Sequence, residues 1–208
     1  MGLLTPRRRT VLVGVLAAQR LAELRLSAHN RAAAGGGVAA SPGTYPAMVA
    51  VHVALFVTAA WPRRRRRAPW FLEDAALAGV AGATLLRFSV IRALGQSWNV
   101  TAHVSPSTQV VTSGPYRWLR HPNYTAVAME FACLPLAVGA VREAAVLSLA
   151  NAAVLWPRIA AEEVLLDQLP GYRDAFAGVP RFVPLPGRHS HTPASVSQSR
   201  GVRRPKPQ

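Results

Sequence analysis

Residues 114–140 read GPYRWLRHPNYTAVAMEFACLPLAVGA. The opening of this stretch gathers Tyr116, Arg117, Arg120, His121 and Tyr124, whereas the remainder is apolar with one carboxylate, Glu130. Pro122 suits the first turn of a helix, where its missing N–H costs nothing. The stretch therefore predicts a helix over 123–140 with a polar entrance and an apolar body. A second apolar run begins after a very short turn at 139–142, so the two helices form an antiparallel hairpin. That second helix, expected over 142–169, carries RIAAEE at 158–163. A hairpin brings the entrance of one helix and the end of the other to the same face, so the two polar clusters converge.

Working outward, the rest of the chain is built on the same plan. Its 208 residues suit one domain. Half are hydrophobic and 16% are charged, against the quarter usual in soluble proteins. The apolar residues come in blocks: 45–61 is uncharged apart from His52, and 75–91 carries only Arg87. A spanning helix needs roughly 20 mostly apolar residues. A soluble alanine-rich bundle fits poorly because these blocks lack a polar stripe. The first segment, 10–27, looks like a signal peptide at its start, but no soluble domain follows it. Arg20 and Glu23 are spaced to pair at i, i+3 and face the bundle. The expected fold is all-α: an integral membrane bundle of about five helices (10–27, 45–61, 70–94, 123–140, 142–169) with a small cytosolic cofactor-binding cap. Residues 1–92 form N-terminal membrane helices, 93–186 a catalytic region, and 187–208 a disordered basic tail.

The net charge is +15, and Lys206 is the sole lysine among 24 basic side chains. Nucleic acid is a poor partner for this charge, because the arginines lie between apolar blocks without interleaved aromatics. Residues 7–9 and 63–67 read as flanks that meet anionic lipid headgroups. Cys133 stands alone and reads as a small core residue, and no cysteine pair or His-x-x-x-His offers a metal site. His189 and His191 in the tail add little to that.

At the first cluster, His121 stands at the helix entrance, outside the apolar core, with Tyr124 one turn in. Free N–H groups and the positive dipole end make such an entrance a seat for a carboxylate, with Arg117 and Arg120 reinforcing it. At the second, Trp156-Pro157 bends the helix. Arg158 and Glu162 are spaced to pair at i, i+4, and Glu163 points about 100° away. The interval 95–120, QSWNVTAHVSPSTQVVTSGPYRWLR from Gln96, is expected to fold over the polar end of the bundle. Tyr172 and Phe176, spaced i, i+4, are expected to pack back on it.

The RHPNY box at 120–124, the pair Glu162-Glu163, Gly114-Pro115-Tyr116 and the closing Tyr172, Arg181, Phe182 and Pro184 resemble the isoprenylcysteine carboxyl methyltransferase family and its phospholipid methyltransferase relatives. The resemblance covers 94–184. It implies an integral membrane enzyme that uses S-adenosylmethionine. Carried over residue by residue, His121 and Tyr124 would hold the cofactor's amino-acid end, and Glu162 or Glu163 would meet its ammonium. Val111, Gly114 and Tyr116 would line the rest of the pocket, and Arg158 would face the reaction centre, with Glu162 beside it. A narrower resemblance, in LGQSWNV at 94–100, RHPNYTAVAME at 120–130 and LPLA at 134–137, is to a bacterial branch found alongside type III polyketide synthases. It implies O-methylation of alkylpyrones or alkylresorcinols drawn from the bilayer, a functional link to such a synthase, and a multi-pass cell-membrane protein with its site facing the cytosol. Isoprenylcysteine carboxyl or phospholipid methylation is the alternative within the family. Two readings lie outside it. Membrane sterol reductases that use NADPH carry a similar box, with Glu130 resembling their pattern. A non-catalytic membrane protein would use both clusters for anchoring alone.

Overall fold

The computed structural model describes residues 4–35, 37–39, 42–61, 68–101, 103–104 and 108–184. The arginine run at 63–67 and the tail with His189 and His191 lie outside the described residues. Among the described residues, five long α-helices and one short one follow in chain order: α1 (Pro6–Ala33), α2 (Tyr45–Ala60), α3 (Trp70–Leu94), α4 (Pro122–Ala137), α5 (Val141–Leu166) and α6 (Tyr172–Ala175). Two residue pairs, Val38 with Val104 and Ala39 with His103, form a minimal antiparallel ladder between β1 (Val38–Ala39) and β2 (His103–Val104).

The helices start and stop for local reasons. Thr5 caps α1 through its hydroxyl, which accepts the Arg8 N–H at 3.3 Å, and Pro6 occupies the first turn. Polar residues then extend α1 beyond the expected 10–27, because Glu23, Ser27 and Asn30 are buried against other segments. Pro157 lies inside a helix that continues to Leu166, as Pro135 lies inside α4.

α4 sits at the centre, packed against α3 and α5, while α2 packs against α5, α1 and α4. Leu55, Val80, Phe131, Leu134 and Leu155 form the shared core. The approach of α3 to α4 depends on Gly79: a Cβ there would come 2.5 Å from the Cys133 sulfur. A small residue at a helix contact lets two backbones come close. Cys133 is partly buried at that contact and unpaired.

The segment Trp70–Ser97 and α5 are long and apolar enough to cross a membrane, and α2 is apolar but shorter at 16 residues. Outward-facing side chains are apolar too: Val53 on α2, Leu85 and Phe88 on α3, Val146 and Leu149 on α5 are all exposed. A helix in water would present polar groups on those faces.

Charge is turned inward instead. Arg20 bonds Glu23 and Glu130, and Arg87 lies 3.5 Å from Glu23 and 3.4 Å from Glu130. Glu23, Arg87 and Glu130 are buried. The expected Arg20–Glu23 pair is therefore one edge of a buried quartet that ties α1, α3 and α4 together. Ionic groups at such depth persist only when paired.

Candidate active site

The site is built where the C-terminal segment returns to the entrance of α4. The backbone N–H groups of Arg120 and His121 donate to the carbonyls of Pro180 and Arg181 at 2.9 and 3.0 Å. The Thr125 hydroxyl donates to the Phe182 carbonyl at 3.0 Å. Residues 180–182 thus pack alongside the RHPNY box, held by these bonds. The Arg120 and His121 amides, just ahead of α4, are thus taken up by the C-terminal segment.

This returning segment also fixes His121 and Glu163. His121 is 3% exposed, packed between Tyr124 and Phe182, with Nε2 at 3.0 Å from Glu163 Oε1. Its expected place outside the apolar core is corrected: the returning segment covers it. Arg181 donates to both oxygens of Glu163, at 2.8 and 2.6 Å, and Arg120 lies 3.9 Å away. Glu163 therefore latches the C-terminal segment to the hairpin.

Glu162, about 100° round the helix, points elsewhere. It accepts a hydrogen bond from the Tyr124 hydroxyl, which in turn accepts one from Arg158 Nε at 3.2 Å. The expected direct Arg158–Glu162 pair is thus corrected to a relay, with Tyr124 from the neighbouring helix interposed. Arg158 is 1% exposed and donates through Nη2 to the Val100 carbonyl. That contact ties α5 to the segment after α3, which folds over the bundle end as expected.

Three cavities have a residue of this relay in their walls, one of them, of about 330 Å³, behind Tyr124 among Asn151, Ile159 and Phe182. The first, of about 120 Å³, is mixed in character: Ser97, Asn99, Gln109, Arg120 and Glu162 supply polar groups, and Tyr116, Tyr172 and Phe176 supply rings. Val111 lines it as well. Burial pushes the Tyr116 phenol far above its usual range. Burial likewise pushes Tyr172 up to about 12, with nearby carboxylates adding to the rise and Arg120 opposing it. Both phenols are therefore protonated at neutral pH. The Tyr172 hydroxyl and Arg120 Nε are buried without a hydrogen-bond partner among the described residues. The second cavity, of about 370 Å³, is mostly apolar and lies between α1, α2, α4 and α5, with Tyr124 and Arg158 in its wall.

Of the sequence-predicted site residues, Val111, Tyr116 and Glu162 line the mixed cavity, and Tyr124 and Arg158 line the apolar one. His121 and Glu163 line neither and bond each other. Gly114 also lines neither. It opens a 3-10 turn, Gly114–Arg117, with φ +60, and a Cβ there would come 3.2 Å from that of Ala93. Its task is to fold the turn that carries Tyr116 against α3. Arg117 is exposed over the Trp118 ring. Sequence reasoning did not single out Ser97, Asn99 or Gln109 as site residues, although the cluster of polar residues after α3 was a usable signal. The contact of Arg181 with Glu163 spans 18 residues and leaves no periodic trace.

The chain is 28% identical over 163 residues to "Uncharacterized protein YpbQ" of Bacillus subtilis (strain 168), a match covering 76% of this chain and 96% of that protein. Residues 76–168 match the model of the Isoprenylcysteine carboxyl methyltransferase (ICMT) family. The matched region runs from within α3 through α5 and holds the RHPNY box, the Tyr124 relay and both glutamates, so the part of the chain that carries the site is ICMT-like.

Proposed function

We propose that the chain is a member of this family, a membrane enzyme that uses S-adenosylmethionine to O-methylate a lipidic acceptor such as an alkylpyrone or alkylresorcinol. One observation carries the proposal: the Arg158–Tyr124–Glu162 relay joins a cavity with polar groups and rings to an apolar cavity between helices. One cofactor and one lipid need such a pair of seats.

The donor set of the mixed cavity fits the cofactor. Glu162 offers a carboxylate to an ammonium, and Arg120 offers an unpartnered buried N–H to a carboxylate. Tyr116, Tyr172 and Phe176 offer faces and edges to a nucleoside. Of the two glutamates, Glu162 is the one assigned to the ammonium, because Glu163 is already bound by Arg181 and His121. When bound, S-adenosylmethionine supplies an electrophilic methyl group on a sulfonium.

The remaining work belongs to the chain itself. Arg158, held by Tyr124 and the Val100 carbonyl, has its aim fixed before an acceptor arrives. Its guanidinium steadies the negative charge of an acceptor oxygen. The apolar wall takes an alkyl tail and keeps competing water from the reacting oxygen. The His121–Glu163–Arg181 latch holds α4, α5 and the C-terminal segment together, so that Tyr124 and Glu162 stay within reach of each other. In this proposal the protein is multi-pass in the cell membrane with its mixed cavity toward the cytosol. Acceptors reach the second cavity from the bilayer, supplied by a type III polyketide synthase, and nucleic acid is not a partner. Glu130, the residue that resembles the reductase pattern, is bound to Arg20 and Arg87 in the quartet.

Purified protein in detergent, given tritiated S-adenosylmethionine and an alkylpyrone or alkylresorcinol, should yield labelled lipid, with no NADPH oxidation in a parallel assay. NADPH oxidation without labelled lipid would refute the proposal in favour of a reductase.

A further inference from the structure

The cavity of about 330 Å³ lies between α4 and α5, and Tyr124 and Leu155 form a wall common to it and the larger apolar cavity. Thr125, Ala128 and Met129 line it from α4, and Ser148, Asn151 and Ala152 from α5. Each set is spaced i, i+3, i+4 and so occupies one face of its helix. No charged side chain lines it among the described residues.

Two of its polar groups are already committed. The Tyr124 hydroxyl belongs to the relay, and the Thr125 hydroxyl donates to the Phe182 carbonyl at 3.0 Å. Asn151 is different. It is 4% exposed, yet its amide has no hydrogen-bond partner among the described residues, and neither the amide oxygen nor the nitrogen is fully sealed from contact. Ser148, one turn earlier on the same face, also lacks a partner among the described residues. Hydroxyls inside a helix commonly bond the carbonyl one turn back, as Thr84 does to Val80 at 3.0 Å. A buried amide without a partner is costly, and leucine would fill the same place without that cost. A ligand that brings the missing partner removes it.

Depth narrows the ligand. Asn151 lies about 16 Å along α5 from Glu162 and about 15 Å from Val141, so it stands near the middle of the span. Trp156 and Val183, which border the cavity, are both exposed and apolar, so it is open to the bilayer. A phospholipid keeps its polar atoms at the headgroup, about half a hydrocarbon core away.

We propose that this cavity is a binding site for a neutral long-chain alcohol lying within the bilayer, whose hydroxyl meets Asn151 and Ser148. A hydroxyl donates and accepts, and so do the amide and the serine, so one ligand group serves both side chains. With no charged lining group, the cavity disfavours an anion or an ammonium. The site is independent of the methyltransferase reading: it holds none of Arg120, Arg158 or Glu162.

The test is displacement of tritiated hexadecanol from purified full-length protein in phosphatidylcholine nanodiscs. The competitors are unlabelled hexadecanol, its methyl ether and the carboxylate of equal chain length. Hexadecanol should compete about fivefold better than the ether, which accepts but cannot donate, and better still than the carboxylate. Asn151→Leu should bring alcohol and ether within about twofold of each other while folding as stably as wild type, because the amide it removes has no partner. Ala152→Phe, which fills the cavity from an exposed position, should abolish saturable hexadecanol binding. If Asn151→Leu does not fold, the wild-type comparison and Ala152→Phe decide. Ether or carboxylate competing as well as the alcohol would mean that any apolar tail is accepted, and overturns the proposal. So does selectivity that survives Asn151→Leu, or binding that survives Ala152→Phe. Absence of saturable binding to wild type, with water or a second copy's side chain filling the cavity, overturns it too. S-adenosylmethionine titrated into the same discs reads the methyltransferase proposal separately. Cofactor binding without alcohol selectivity sinks this site alone, whereas selectivity without cofactor binding supports the site and sinks the methyltransferase proposal.

Discussion

Replacing Glu162 and Glu163 one at a time by glutamine should have effects of different kinds, although the residues are adjacent. Glutamine at 162 keeps an oxygen for the Tyr124 hydroxyl but removes the negative charge from the mixed cavity. A hydrogen bond to a charged group contributes about 1.5–3 kcal/mol. Its loss should raise the dissociation constant for S-adenosylmethionine about 10- to 150-fold. Glutamine at 163 weakens the latch instead. The Arg181 side chain is 45% exposed, so that ion pair contributes at most about 1 kcal/mol, and the buried His121 contact about 1 kcal/mol more. Glu163→Gln should therefore lower stability by about 1–2 kcal/mol while leaving cofactor affinity within about threefold of wild type. Isothermal titration in detergent and thermal unfolding of the same samples read both quantities. A Glu163→Gln variant that loses tenfold or more in affinity, beside a Glu162→Gln variant that binds normally, would show that the mixed cavity is not the cofactor's seat.

Arg87→Met should destabilise the protein by about 3–5 kcal/mol, since it leaves buried carboxylates of the quartet without one of their two arginines; unfolding in mixed micelles measures this. Arg158→Lys should lower kcat more than tenfold with cofactor affinity within about threefold, because one ammonium cannot reproduce the guanidinium's bonds to Tyr124 and Val100. Raising the pH should destabilise the fold above the ordinary phenol value of 10.0, where unfolded Tyr116 and Tyr172 ionise and the folded forms stay protonated. For Tyr172 this loss runs to about 12, and Tyr116→Phe or Tyr172→Phe should flatten thermal stability measured from pH 8 to 11.

Much of the fold was legible because helices declare themselves locally. The runs at 45–61 and 70–94 gave α2 and α3 within a residue. Pro122 marked the start of α4, and the short turn gave the hairpin. The polar second half of α1 was missed because its buried face is Glu23, Ser27 and Asn30, whose partners Arg87, Val100 and Trp98 lie far along the chain. Apolar periodicity cannot report such contacts. The site was legible as two clusters but not as a circuit. Spacing correctly placed Arg158 and Glu162 on one face of α5, yet spacing within a helix cannot show that Tyr124 of α4 stands between them. Nor could it show that residues 180–182 would cover His121 and claim Glu163.

A structure determined with S-adenosylhomocysteine and a long-chain hydroxypyrone tests the central claim most directly. The nucleoside should lie among Tyr116, Tyr172 and Glu162, the tail between α1 and α2, and the ring oxygen against Arg158, with the cofactor sulfur facing it. A nucleoside bound away from the mixed cavity, or a pyrone bound outside the apolar one, would contradict the assignment of both seats.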